Sequence, residues 1–497
     1  MKVRELFKGQ AVQVSGDDVS VTGLVYDSRK VQPGVLFAAL SGAASDGHDY
    51  IPKAIELGAT AILCEREVET GQIPRVVAPD ARHALALAAR EFFDDPGSRL
   101  KTVGITGTNG KTTTAYLVGG MLEAAGVPTG IVGTLGAVFK GEIRETGLTT
   151  PESVPLLGLL NEMVDADVRA AVMEVSSHAL LQHRAAGVGF DVGVFTNLTQ
   201  DHLDYHKSLE DYFEAKALLL ETHLKAGGVG VLNLDDPKVA TLWGESTIGF
   251  SQSSSTGASV YLKSSELSSE RTVLRIETPK GELEVRSALV GDFNVQNILA
   301  AVSVGIALEL DLEAISCGLG AVEAVPGRLE RVFVEGAEEQ PLVLVDYAHT
   351  PDALEKALKA VRQITTGRLI VVFGCGGDRD SSKRALMGRV CALHSDWAVV
   401  TSDNPRSEDP GLIVEEILVG LKKSDAVVGA NSNDGGYLVE LDRALAIAIA
   451  IESAVEGDCV LIAGKGHEDY QIIGDSKIHF DDCEEALVVL RQRAERS

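Results

Sequence analysis

The stretch KTVGIT, GTNG, KTTTAYLVGGMLEAAG at residues 101–126 constrains this chain more than any other. A β-branched run favours an extended strand, glycines open a turn, and the apolar spacing that follows is helical until Gly126 and Pro128 end it. The same order recurs along the chain. Ala170 to Val175 runs into SSH, DVGVF into TNLTQDH, LIVVF into GCGGDRD, WAVVT into SDNPRSED, and CVLIA into GKGHEDYQ. Strands that alternate with helices in this way predict an α/β chain with parallel, doubly wound sheets, which bind ligands at the carboxyl ends of their strands. The last three loops are then expected to face one crevice.

A chain of 497 residues carries a prior of about three domains at roughly 150 residues each. Breakers supply the boundaries: DDPGS at 94–98 and VPGRLERV at 325–332 divide it into 1–99, 100–326 and 327–497. The first part is expected to hold short strands at Leu24 to Tyr26, Val35 to Ala39 and Ala61 to Cys64, with a helix near Ala81 to Phe93. In the second, the Ser-rich SQSSSTGAS (251–259) reads as a loop. TVLRIET and ELEVRS, alternating with period two around Pro279, Lys280 and Gly281, predict a β-hairpin.

With 45% hydrophobic residues the chain can bury several cores, which excludes global disorder. Its formal charge of −27 repels nucleic-acid phosphates and anionic lipid, so neither is an expected partner, and any polyanionic ligand needs a local, well-built site. Six scattered cysteines without a CxxC pair (Cys64, Cys317, Cys375, Cys391, Cys459, Cys483) read as reduced and structural. No segment approaches the ~18 apolar residues of a membrane span, the longest candidate, Ala444 to Ile451, stopping at Glu452. MKVRELFKGQ lacks the apolar core of a signal peptide. A soluble, cytoplasmic protein without membrane insertion is expected.

In GTNGKT, backbone N–H groups of Gly107, Thr108, Asn109 and Gly110 can turn toward a phosphate, Lys111 adds a point charge, and the Thr112 hydroxyl can ligate Mg²⁺ at the helix start. This predicts a nucleoside triphosphate site, with ATP as ligand. The strict pattern needs Gly at 105, where Ile105 stands, so the loop is a variant; its bland alternative is an ordinary βα turn. Glu174, ending its strand, is a hard ligand suited to magnesium, or else an exposed acidic loop residue. His202 and His206 are spaced i, i+4, but Leu203 follows where a zinc protease needs Glu. Lys216, on an amphipathic helix, reads by itself as a solvated surface lysine. In DNPR, Asp403 can accept from an ammonium group and Arg406 offers a planar fork for a carboxylate, the alternative being a turn with an exposed Arg.

GTNGKTT, LTTPE (148–152), MEVSSHAL (173–180), TNLTQDHLDYH (196–206), FNVQN, PGRLER, DYAHTPD, GGDRD and GKGHEDYQ, in this order, resemble the Mur ligase family from end to end. The resemblance implies three domains: an N-terminal uridine-nucleotide-binding α/β domain, a central P-loop ATPase domain and a C-terminal Rossmann-like domain. It implies ATP-dependent addition of meso-2,6-diaminopimelate to UDP-N-acetylmuramoyl-L-alanyl-D-glutamate, with two magnesium ions, by a monomer. Thr112, Glu174, His202 and a carbamylated Lys216 would hold the metals, with Lys111 among the catalytic groups; His206 is left as structural. Asn294, Asn297, Arg328 and Asp346 fall in segments that line the nucleotide. Ser28, Ala43, Ala44, Ser45, Thr149, Thr150, Ser176, Gln182 and Arg184 match positions that hold the UDP-muramoyl dipeptide. Arg379, Asp403, Asn404, Pro405, Arg406, Gly464 and Glu468 match those that hold diaminopimelate. Ser382 stands before Lys383 where the family commonly has Gly, and a small loop change is expected there. The alternatives are the same ligation with L-lysine, or a P-loop NTPase or regulatory module without an amide product.

Overall fold

A computed structural model describes all residues except 43–44, 203–204, 269–270, 338–339, 423–435 and 497. The chain forms two compact units. One comprises Met1–Lys263, Ile276–Leu283 and Gln296–Leu319; the other comprises Ser264–Arg275, Glu284–Val295 and Gly320–Ser497.

The first unit opens with a five-stranded sheet in the order Gln13–Ser15, Arg75–Val77, Ala61–Cys64, Val35–Ala38, Gly23–Val25, parallel except for its first pairing. Side chains alternate across it. Leu36, Ala38, Ala61 and Leu63 join the core that includes the helix Ala81–Phe92, while Val35, Phe37, Ile62 and Cys64 enter a second core with Ile51 and Ala54. The helix starts where Asp80 accepts a hydrogen bond from the His83 N–H at 2.8 Å.

In the second sheet of this unit the strand Lys101–Thr106 lies between Phe190–Phe195 and Ala170–Glu174, parallel to both. Leu224–Asn233 and Thr247–Ser251 extend the parallel run on one side and Thr129–Gly133 on the other, followed by the antiparallel Gly136–Phe139 and Glu142–Arg144. Register pairs Ile105 with Glu174 and Thr106 with Phe195, so three strands end level and release their loops at one edge. The hairpin strands Thr272–Thr278 and Gly281–Ser287, whose residues are divided between the two units, bury Thr272, Leu274, Ile276 and Thr278 on the first strand and Leu283, Val285 and Ser287 on the second.

The second unit carries the sheet Glu330–Val332, Leu342–Asp346, Cys459–Ala463, Leu369–Phe373, Trp397–Val400, Gly436–Val439, parallel after an antiparallel edge. It is doubly wound. Leu369, Val371 and Phe373 pack with Leu354, Leu358, Met387, Ile413 and Ile417 from three helices, and Ile370 and Val372 pack on the other face with Ile447, Ile451, Ala486 and Leu490 from two. Each of the buried Leu, Ile, Val, Met and Phe side chains contributes about 1.5–3 kcal/mol. Among the described residues all six cysteines are free, and burial pushes the Cys375 thiol up to about 12, which leaves it unreactive. No helix of the described residues is long and apolar enough to cross a membrane.

Candidate active site

The loop after Lys101–Thr106 is built for close backbone approach. Gly107 and Gly110 hold φ of +139° and +86°, and a Cβ would strike the Thr196 hydroxyl at the first and the Asn297 amide oxygen at the second. A neighbouring segment splints the loop from outside. The Asn109 N–H donates to Asn197 Oδ1 at 2.9 Å, Thr196 Oγ1 donates to Asn109 O at 2.7 Å, and Thr108 Oγ1 donates to Thr199 O at 3.1 Å. Lys111 curls back over the loop, its ammonium donating to Gly107 O and Thr108 O, each at 2.9 Å. Helix Lys111–Ala124 thus begins at a loop whose backbone is held by these contacts.

Glu174 is buried at 1% exposure, so the reading of an exposed acidic residue is corrected. Its carboxylate accepts from Thr112 Oγ1 at 3.0 Å and from the Thr134 N–H at 2.9 Å, and it fills the space that a side chain at Gly133 would take. Thr150 Oγ1 donates to the Glu174 carbonyl at 2.8 Å, and the Ser176 N–H donates to Thr150 Oγ1 at 3.1 Å. Thr149 meets Thr134 at 3.2 Å. Arg184 donates to the Thr150 carbonyl at 3.1 Å and to Gln182 Oε1 at 2.6 Å, while Gln182 donates to the Tyr205 hydroxyl. The residues matched to the dipeptide end and the carboxylate matched to the metal therefore form one connected network.

Lys216 is also buried, at 2% exposure, which corrects the reading of a solvated lysine. Helical periodicity sets it on the inner face of Leu209–Thr222 with Tyr212 and Leu219. Its amine donates to Gly107 O at 2.8 Å, the carbonyl that Lys111 also uses, and lies 4.4 Å from the Tyr212 ring centroid. Burial, then the charge of Lys111, holds its pKa well below the usual lysine value, with Asp201 opposing. His202, half-exposed with φ of +52°, packs edge-on against His178 with centroids 5.0 Å apart. His206 is buried and pairs with Ser177 Oγ at 2.9 Å.

No three of His, Cys, Asp and Glu converge among the described residues, so the donors make no all-protein metal cage. A hydroxyl and a carboxylate beside a phosphate loop do fit magnesium, which takes hard oxygens, keeps several waters and relies on substrate phosphates.

In the first sheet's loops, Ser28 opens the short turn Ser28–Lys30, capped by Asp27, which accepts from the Arg29 N–H at 3.0 Å. Ser45 is exposed and its carbonyl accepts from the Gly42 N–H; Ala43 and Ala44 lie outside the described residues. Asn297 reaches the phosphate loop at Gly110.

In the second unit, Asn294 Nδ2 donates to Val290 O at 2.7 Å. Asp346 accepts from the Leu329 and Ala348 N–H groups at 2.8 and 2.9 Å, and burial raises its carboxyl pKa against the charge of Arg328. The Arg328 guanidinium lies 5.2 Å from the Tyr347 ring centroid, which neighbours His467 at 5.0 Å.

Three loops of the second unit do meet at the carboxyl ends of their strands. Arg406 Nη1 donates to Gly377 O at 2.8 Å, Asn404 Nδ2 donates to Glu468 Oε2 at 2.8 Å, and a Cβ on Gly464 would lie 2.7 Å from Asp403 Oδ2. Pro405 packs its carbonyl over Gly377, where no side chain fits. Arg379 is exposed at the rim. Lys465, to which sequence reasoning assigned no role, is wholly buried, its amine 3.4 Å from Asn404 Oδ1 and 3.6 Å from Glu468 Oε2. Burial, then Asp403, raises the pKa of Glu468. Also without a predicted role were Thr134, which has no polar neighbour in sequence to mark it, and Thr196 and Asn197, whose motif was noted but whose grip on the phosphate loop spans 87 and 88 positions.

The chain is similar to known proteins over nearly its full length. The Mur ligase middle domain matches residues 105–305, the Mur ligase glutamate ligase domain 327–466, and the Mur ligase family catalytic domain 20–93. A UDP-N-acetylmuramoyl-L-alanyl-D-glutamate--2,6-diaminopimelate ligase of Gloeobacter violaceus is 46% identical over 482 residues, 96% of each chain. A protein of the same name from Geobacter metallireducens is 45% identical over 496 residues, 95% of each. A solved structure of a ligase with this name superposes with a TM-score of 0.71 at 31% identity, covering 99% of both chains. By sequence and by fold over nearly its full length, the chain belongs to the Mur ligase family and has that family's three-domain α/β architecture.

Proposed function

We propose that this chain is an ADP-forming acid–amino-acid ligase that joins meso-2,6-diaminopimelate to UDP-N-acetylmuramoyl-L-alanyl-D-glutamate during cytoplasmic synthesis of peptidoglycan precursors. One observation carries the choice of third substrate. The Arg406 fork and the Glu468 carboxylate stand on adjoining loops linked through Asn404, a complement for a zwitterionic amino-acid end with a carboxylate and an ammonium group. The relatives' names agree with that reading. Residues 1–99 are assigned to the uridine nucleotide, 100–326 to ATP and 327–497 to the amino acid.

A carboxylate is a poor acyl donor in water, and nucleotide cleavage overcomes this. The γ-carboxylate of the D-glutamyl residue attacks the γ-phosphorus of ATP, ADP leaves, and an acyl phosphate forms. The amine of diaminopimelate, having lost its proton, adds to the acyl carbon and expels inorganic phosphate. Lys111 and the N–H groups of the Gly107–Gly110 loop offset the repulsion between the two anions and hold the phosphates in line. Thr112 and Glu174 are assigned to magnesium, which when bound neutralises phosphate charge; His202 is assigned to a second ion. Thr149, Thr150, Ser176, Gln182 and Arg184 are assigned to the dipeptide end, with Ser28 and Ser45 at the nucleotide end. Asn294, Asn297, Arg328 and Asp346 are assigned to ATP. Lys216, buried with its amine on Gly107 O beside Lys111, is assigned as the amine that adds CO₂, which gives a carbamate and releases one proton. The resulting anion would answer the Lys111 charge beside it. ¹³C NMR of the protein in labelled bicarbonate tests for the carbamate signal, and gel filtration tests the proposed monomer.

Phosphate release with all three substrates, and with each omitted in turn, tests the reaction. Hydrolysis of ATP indifferent to the UDP-dipeptide would instead identify an NTPase module, and equal turnover with L-lysine would reject the specificity. Arg406→Ala is expected to cut diaminopimelate kcat/KM by about 10²-fold or more, because the distal carboxylate is left unpaired, while nucleotide binding is retained.

A further inference from the structure

Arg443 and Asp482 each begin a helix, Arg443–Ser453 and Asp482–Ala494, and both side chains are wholly buried. Nε and Nη2 of the guanidinium each meet one carboxylate oxygen at 2.7 Å. The fork also reaches backbone: Nη2 donates to Ala463 O at 3.1 Å and Nη1 to Ser402 O at 3.4 Å. Those carbonyls belong to the residues just before Gly464 and Asp403. The strands that lead to them, Cys459–Ala463 and Trp397–Val400, are not neighbours, since Leu369–Phe373 runs between them. One side chain therefore bridges a strand and ties the roots of two loops.

A buried ion pair is weak ground for stability. Desolvating two charges costs several kcal/mol, and an apolar pair of similar volume serves a core equally well or better. What an apolar pair lacks is the means to fix two carbonyls. We propose that Arg443, oriented by Asp482, is a positioning residue for the amino-acid substrate, setting the spacing between the loop of Asp403, Asn404 and Arg406 and the loop of Gly464 and Glu468. This rests on the ligase reading above and adds to it a residue that touches no substrate.

The test measures kcat and the KM of each substrate by phosphate release in the full chain, in Arg443→Lys, and in the double variant Arg443→Met with Asp482→Leu. The double variant removes both charges together, so it leaves no buried ion unpaired. In both, the KM for diaminopimelate is expected to rise about tenfold or more, the worth of one displaced charge-assisted hydrogen bond. The KM values for ATP and the UDP-dipeptide should stay within about twofold, with far-UV circular dichroism unchanged. A purely structural role would reduce the active fraction instead, lowering kcat with all three KM values fixed, and that result overturns the proposal. So does an unmoved diaminopimelate KM in the folded double variant. The unsubstituted chain is assayed first: if it releases no phosphate in response to diaminopimelate, the ligase reading itself is rejected.

Discussion

Lys216 and Lys111 both donate to the carbonyl of Gly107, so the Lys216 amine sits directly against the loop assigned above to phosphate. Lys216→Ala is accordingly expected to lower kcat by about 10²-fold or more, with the fold retained and the KM for ATP little altered, in steady-state assays. His467 gives a prediction of the opposite kind, about stability. Burial, then Arg328, lowers its pKa from 6.5 to about 4. In the unfolded chain it takes up a proton as pH falls through 6.5, and in the folded chain not until about 4, so the unfolded state binds more protons in that window. Its contribution is thus fully present above the unfolded value and is lost progressively as pH falls toward the folded one. Urea midpoints measured from pH 7 downward should decline across that interval, and His467→Gln should flatten the decline. At this scale, legibility followed sequence distance. The phosphate loop could be read directly because its glycines, lysine and threonine fall within six consecutive residues, 107–112. Burial of Lys216 was legible in principle, since it lies four residues after Tyr212 and three before Leu219 on one helical face, but polarity outweighed periodicity in the reading. Arg443 carried no usable signal: its partner is 39 residues away, and an arginine opening an apolar helix looks like an exposed end.

Strands and helices themselves were largely legible, because alternation and apolar spacing report burial directly. Ala61–Cys64 falls where expected, Val35–Ala38 and Ala81–Phe92 end one residue early, and the hairpin at 272–287 keeps its two-residue period. Adjacency was not. Whether Phe190–Phe195 lies beside Lys101–Thr106 depends on crossover handedness and on which faces the helices cover, and the local pattern encodes neither. For that reason the splint formed by Thr196, Asn197 and Thr199 emerged only with the fold. Its importance can be measured through the element it holds. Gly110→Ala introduces a Cβ at φ of +86° against Asn297, and left-handed strain of about 1–3 kcal/mol then falls on the phosphate loop. Nucleotide titrations should show ATP affinity reduced by about tenfold or more, with a thermal midpoint only slightly lower.

The formal net charge of −27 opposes the approach of a polyanion from a distance, so the basic and N–H groups of the phosphate loop act at short range. Raising ionic strength should therefore speed ATP association, measurable by stopped flow, since screening removes the long-range term first. The family's three-domain architecture agrees with the number expected from length, whereas the order of strands in the last sheet was not legible. There Cys459–Ala463, late in sequence, lies between Leu342–Asp346 and Leu369–Phe373. A chain stopped before residue 459 leaves a gap in the middle of the sheet, and its C-terminal unit is expected to lose cooperative urea unfolding altogether. The same arrangement matters during synthesis. Eighty-five residues, 374–458, are made between the second flanking strand and the strand that joins the two, and through that interval their facing edges stay unpaired and open to mispairing during synthesis.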